Sequence, residues 1–116
     1  MEKIALVTRA YNGLGLEFFK QLVNAGYKVI LTAREIQKAQ AAAETLNVRQ
    51  QSAIPKALEV TDEIQIKNLA SWVKESYGRL DLLVNNAGVN PKDYADKSRM
   101  SKAFHLDNLD AKEMLD

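Results

Sequence analysis

A continuous apolar run that breaks into a glycine-bearing turn and then an amphipathic stretch leaves a chain few folds to adopt, and this chain opens with one. Lys3-Ile-Ala-Leu-Val-Thr8 is nearly unbroken in Ile, Leu and Val, the pattern of a strand buried on both faces of a parallel sheet. It leads directly into Arg9-Ala-Tyr-Asn-Gly13-Leu-Gly15. Gly15, Phe19 and Val23 then fall on one helical stripe with Phe18 and Leu22 beside it, and Gly26 supplies a stop just past the last turn. A second junction of the same kind follows much later, where Leu80-Asp-Leu-Leu-Val84 runs into Asn85-Asn-Ala-Gly88.

Between these junctions the chain alternates strands and helices. Strands are expected at Lys3 to Thr8, Lys28 to Thr32, Lys56 to Val60 and Leu80 to Val84, with Gln50 to Pro55 as a loop. Ile36 to Leu46 is rich in the helix formers Ala, Gln and Glu. The third helix has the clearest signals. Asp62 caps it with Gln65 three residues on, Ile66, Leu69, Ala70, Val73 and Tyr77 form its stripe, and Gly78 ends it. Trp72 is offset from that stripe and is expected to pack against neighbouring structure.

Such alternation with short links predicts an α/β fold, an open parallel sheet with helices on both faces, reached by right-handed crossovers. The pattern weakens from Val89. Asn90-Pro91 marks a turn, 92–102 is polar, and Leu106 to Asp110 reads as a turn before a helix that would begin near Ala111. Residues 1–116 are therefore expected to form one unit, with 90–116 a loop and the start of a helix, and the sheet to end after about the fourth strand.

Composition excludes several functions. The net charge of +1 gives no electrostatic case for nucleic acid or an anionic membrane as a partner. No apolar stretch approaches the roughly 18 residues needed to span a bilayer, and the apolar run after Lys3 is too short for a signal peptide, so a cytoplasmic location is expected. The absence of cysteine excludes disulfides, thiolate metal sites and a cysteine nucleophile. His105 is the single histidine, and nothing near it in sequence completes a metal or acid–base site.

The glycine turn carries the chemistry. Unpaired backbone N–H groups and the positive end of a helix dipole favour a phosphate at a helix start, and glycine lets the backbone approach it closely. The same glycines could simply make a tight turn that packs a helix onto a sheet, but Gly13 and Gly15 stand in a strand-turn-helix context, which favours a pyrophosphate. About 20 residues on, Leu31-Thr-Ala-Arg34-Glu35 ends the second strand. An arginine there suits a ribose 2′-phosphate in charge and fork geometry, which predicts NADP(H) over NAD(H). Glu35 keeps NAD(H) open, since a carboxylate at this place can accept from the 2′-OH.

Taken in order and with these spacings, Thr8 to Gly15, Glu59-Val-Thr-Asp62 and Asn85-Asn-Ala-Gly88 resemble the short-chain dehydrogenase/reductase family, nearest its carbonyl-reductase-like members, over about the first 90 residues. The resemblance implies a Rossmann-type fold, a nicotinamide dinucleotide and hydride transfer to or from a carbonyl or alcohol. It implies that Thr8, Arg9, Asn12, Gly13, Leu14 and Gly15 line the pyrophosphate turn. Glu59 and Val60 would touch the adenine, and Asn86, Ala87 and Gly88 would shape the fourth strand's end beside the nicotinamide ribose.

Two positions depart from the family pattern. Arg9 stands where the family has glycine, and weakened cofactor binding is expected if that position needs positive φ; the alternative is that Arg9 swings outward or pairs with a phosphate. Glu59 stands where Asp is usual. The family's chemistry also requires a Tyr with a Lys four residues on, and none of Tyr11, Tyr27, Tyr77 and Tyr94 has one. Tyr94 with Lys97, and Asn108, read as surface or turn residues. No catalytic residue is therefore assigned, and the chain alone is expected to be inactive. The alternative is a non-catalytic protein-interaction module, associating with itself or a partner through an exposed edge of the fourth strand.

Overall fold

The structure, a computed structural model, describes residues 3–9, 13–45, 52–85, 103–104 and, for the backbone alone, 109–110. Its elements run β1 (Ile4–Val7), α1 (Gly13–Asn24), β2 (Lys28–Ala33), α2 (Ile36–Thr45), β3 (Ala53–Ala57), α3 (Glu63–Tyr77), β4 (Leu82–Asn85) and β5 (Leu109–Asp110). Among the described residues these strands form one parallel sheet in the order β3-β2-β1-β4-β5. The chain winds outward from β1 to β2 and β3, then returns to the other side of β1. The point where the strand order reverses therefore lies between β1 and β4.

Period-two alternation along the strands divides the core. Ala5, Val7, Val29 and Leu31 face one way and pack with Phe18, Phe19 and Leu22 of α1 and Ala42 of α2. Ile4, Leu6, Ile30 and Leu83 face the other way and meet Ile66, Leu69 and Val73 of α3. Both faces of β1 and β2 are thus covered, and this is why their sequences are continuously apolar. Phe19 is fully buried, and truncating such a ring to alanine costs about 3–5 kcal/mol.

The helix ends follow the residues expected to set them. At the end of α1 the Tyr27 N–H donates to the Leu22 carbonyl and the Gly26 N–H to that of Val23, a Schellman closure with Gly26 at φ +94°. Asp62 caps α3, accepting from the N–H groups of Ile64 at 3.0 Å and Gln65 at 3.2 Å. Gly78 ends that helix at φ +74°. Trp72 is half-buried, edge-on to Tyr77 with ring centroids 5.6 Å apart, and the Lys56 ammonium lies 3.9 Å from its ring centre.

Two expectations are corrected. The third strand is Ala53–Ala57 rather than Lys56 to Val60, so the segment expected to be a loop is half strand. Pro55 lies in mid-strand, where it pairs in register with Leu31; β3 is the edge of the sheet, the one place where a missing N–H costs no ladder bond. The second correction concerns Leu109–Asp110, expected as a turn with Asp110 at a helix start. These residues lie parallel to β4, with Val84 opposite Leu109 and Asn85 opposite Asp110. The outer edge of β4 is therefore partly covered rather than bare. The helix expected near Ala111 lies outside the described residues.

At the amino ends of the strands a side-chain clamp joins β1 to β4. The Asp81 carboxylate accepts from the Ile4 N–H at 2.8 Å and from Arg79 through Nε and Nη2, while the Asp81 N–H donates to the Ile4 carbonyl. The Arg79 hydrogen bonds hold the Asp81 carboxyl below the usual carboxylate range; burial opposes them, and the Ile4 N–H adds to them.

Candidate functional site

The carboxyl ends of the four long strands gather residues that lie far apart in sequence. Register places Val7 beside Leu31 and Val84, and Ala33 beside Ala57. The residues that follow, Thr8 and Arg9 after β1, Arg34 after β2, Glu59 after β3 and Asn85 at the end of β4, therefore line one rim. In open α/β sheets ligands bind along this rim, at the reversal of strand order.

The turn after β1 sits at that reversal. Thr8 is buried and its N–H donates to the Val84 carbonyl at 3.0 Å, tying the turn to β4. Arg9 takes φ +53°, the only positive-φ residue other than glycine among the described residues. The position thus has the left-handed backbone that glycine adopts freely, and a side chain there costs about 1–2 kcal/mol. Gly13 opens α1 at φ +57°, with nothing among the described residues within 4 Å of where a Cβ would stand. Glycine at this place is favoured by backbone conformation rather than by lack of space. Gly15 is buried inside α1, while Leu14 is 40% exposed. Asn12 lies outside the described residues.

At the other end of the rim Arg34 and Glu59 meet. Arg34 Nε lies 2.7 Å from Glu59 Oε2, and the arginine side chain stays 77% exposed. Glu59 is itself held. Its Oε1 accepts from the Thr61 hydroxyl at 2.9 Å, and its N–H donates to Gln65 Oε1 at 2.9 Å. Gln65 Nε2 in turn donates to Asp62 Oδ2 at 3.2 Å. The glutamine therefore reaches back past the helix cap to Glu59, instead of closing a capping box on the Asp62 N–H. Val60 is half-buried and packs into the core under α3.

Arg34, Glu59 and Gln65 line an open cleft of about 390 Å³ together with Glu35 and Lys38. Lys38 was not among the residues expected from sequence. It lies in the first turn of α2, two residues past the helix start and close in sequence to Arg34 and Glu35. Glu35 lines the cleft too, so an acidic group that could meet a 2′-OH stands beside the cations.

The structure thus brings Thr8, Arg9, Gly13, Leu14 and Gly15 together at the β1–α1 turn, and Arg34, Glu59 and Val60 at the ends of β2 and β3. Asn86, Ala87 and Gly88 lie outside the described residues, as do Tyr94, Lys97, His105 and Asn108. Asn85, immediately before that motif, is 2% exposed at the end of β4. Among the described residues no cluster of His, Cys, Asp or Glu could hold a metal ion, and no helix is long and apolar enough to cross a membrane.

The (+)-neomenthol dehydrogenase of Arabidopsis thaliana is 41% identical over 91 residues, which cover 75% of this chain and 31% of that protein. Salutaridine reductase of Papaver somniferum is 42% identical over 89 residues, covering 75% of this chain and 29% of the enzyme. The chain spans about three tenths of the length of these relatives. Among solved structures, a metagenomic short-chain oxidoreductase in complex with NADP superposes with a TM-score of 0.78 at 27% identity, over 89% of this chain and 55% of that one. A model of the short chain dehydrogenase family matches residues 3–112, and the chain belongs to that family, the short-chain dehydrogenases/reductases.

Proposed function

We propose that this chain is the NADP(H)-binding portion of an oxidoreductase that interconverts a carbonyl and an alcohol, and that alone it holds the nucleotide without turning over. The observation that carries the reading is the shared rim. A glycine-opened helix start at the strand-order reversal lies along the same edge as an exposed arginine at the end of β2. The first suits a pyrophosphate and the second a 2′-phosphate.

The groups present fit such a cofactor. Gly13 leaves its surroundings open to an approaching phosphate, with the α1 amino end behind it. Thr8 and Gly15 would flank the pyrophosphate, Arg34 with Lys38 would take the 2′-phosphate, and Glu59 and Val60 would border the adenine. Asn86, Ala87 and Gly88 would stand beside the nicotinamide ribose. When bound, the nicotinamide supplies or accepts the hydride. This chain's residues bind and orient it, and no tyrosine here has the lysine four residues on that would tune it as a proton donor.

Arg9 works against the turn. At φ +53° it adds a side chain where the family keeps the backbone bare, so binding is weaker than a glycine at this position would give. The second reading, an interaction module working through the outer edge of β4, has less surface to use, because β5 pairs with the upper half of that strand.

Calorimetric titration of the chain with NADPH and NADH tests the proposal. Tighter binding of NADPH is the expected result. Equal affinity for both would remove the role given to Arg34, and binding of neither would overturn the nucleotide reading.

A further inference from the structure

We propose that Glu59 is a specificity-determining positioning residue: it fixes Arg34 so that the arginine discriminates for a ribose 2′-phosphate. The inference rests on the nucleotide reading above and deepens it, because Arg34 alone does not explain how an exposed side chain becomes a selective one.

Arg34 follows the last residue of β2 and is 77% exposed, so little packing restrains it. An arginine loses much of its rotamer freedom when it binds an anion, and discrimination suffers unless part of that freedom is removed beforehand. Glu59 removes it. Register between Ala33 and Ala57 brings the two residues across the β2–β3 junction, and Glu59 Oε2 engages Arg34 at Nε, 2.7 Å away. A guanidinium has five N–H donors in a rigid fork, so a carboxylate at Nε leaves donors on both terminal nitrogens for a phosphate. The ion pair need not break when the ligand arrives.

The carboxylate is anchored in its turn. Thr61 donates to Glu59 Oε1, Gln65 accepts from the Glu59 N–H, and Gln65 donates to the Asp62 cap of α3. A chain of hydrogen bonds thus runs from the start of α3 to Arg34. Side-chain length matters here: an aspartate at this position, one methylene shorter, would stop roughly 1.5 Å short of Nε. Glu59 also places a negative charge near the phosphate. Solvent around this open cleft screens that repulsion, so the orienting effect prevails.

The test compares 2′,5′-ADP with 5′-AMP, which differ only in the 2′-phosphate. Their dissociation constants are measured calorimetrically for the unmodified chain, Glu59→Ala, Glu59→Gln, Arg34→Ala and the Arg34→Ala/Glu59→Ala double variant. Glu59→Ala is expected to lower the preference for 2′,5′-ADP by about three- to fivefold, the upper part of the range of an exposed ion pair. Glu59→Gln, which keeps the length and an accepting oxygen, should restore part of it. In the Arg34→Ala background Glu59→Ala should leave the preference unchanged. A preference that Glu59→Ala raises or leaves alone overturns the proposal, and so does an equal loss with and without Arg34, which would mean a general structural role. If the unmodified chain bound neither nucleotide, or bound both equally, the nucleotide reading itself would fall and this inference with it.

Discussion

At the amino ends of β1 and β4, Asp81, Arg79 and the Ile4 backbone satisfy one another, and the lysines nearby lie over tyrosine rings, Lys3 at 5.8 Å from the centre of Tyr27 and Lys28 at 5.3 Å from that of Tyr77. At the carboxyl ends of the same strands Arg9 holds a strained backbone, Gly13 opens onto empty space, and Arg34 keeps most of its surface in solvent. The same sheet thus uses polar groups in two ways. At one end they close the strands together, where removing a partner strands a buried donor. At the other, Arg34 is held by Glu59 but not enclosed, so its loss should show in binding and hardly in stability. Strain persists in the second region because the apolar core on both faces of β1 holds the turn in place.

The largest effect that sharpens this contrast is expected from Arg34→Ala. It should reduce the NADPH-over-NADH preference by roughly 10- to 100-fold, the worth of a charge-assisted phosphate contact. Because the side chain is exposed and its ion pair is at the surface, stability should change by less than about 0.5 kcal/mol. Parallel titrations and urea melts check both parts; a large stability loss would break the distinction between the two ends.

Asp81→Ala should do the reverse. It removes the acceptor of the Ile4 N–H and one partner of Arg79 and should destabilise by about 2 kcal/mol, with the nucleotide preference unchanged. The same clamp predicts an acid dependence. Asp81 is depressed in the folded chain, so its contribution is fully present above the unfolded carboxyl value, near pH 4. It is lost as pH falls through the lower folded value. Denaturant midpoints measured between pH 5 and 2 should fall less steeply for Asp81→Asn than for the unmodified chain.

The smallest effect expected is that of Arg9→Gly, which relieves the left-handed backbone. The folded state should gain up to about 1 kcal/mol, net of the extra freedom that glycine gives the unfolded chain. Nucleotide binding should tighten as the turn is bared. Denaturant titration and calorimetry read the two separately. Loss of binding on Arg9→Gly would instead mark Arg9 as a phosphate ligand.

Much of this was legible in the sequence, and the exceptions share a cause. Hydrophobic period and turn residues gave the first, second and fourth strands, the Asp62 cap and the stops at Gly26 and Gly78, because each depends on neighbours a few residues away. Arg9 could be singled out because its backbone demand is local. The third strand was misplaced since Pro55 argues against a strand unless that strand is known to be an edge, and strand order is a property of the whole fold. The Arg34–Glu59 pair depends on the register of β2 with β3, which no local pattern encodes. The redirection of Gln65 from the Asp62 N–H to Glu59 arises from the same juxtaposition. The short β5 was missed because two residues carry too little pattern to be read as a strand.

The carboxyl rim is proposed as a nucleotide site with a built-in preference for the 2′-phosphate. A thermal melt followed by the fluorescence of Trp72, half-buried on α3 and edge-on to Tyr77 at the end of the same helix, tests it most directly when run with excess NADP+ and excess NAD+. A single cooperative transition, raised by both cofactors and more by NADP+, is the predicted result. A cooperative transition that neither cofactor moves would contradict it.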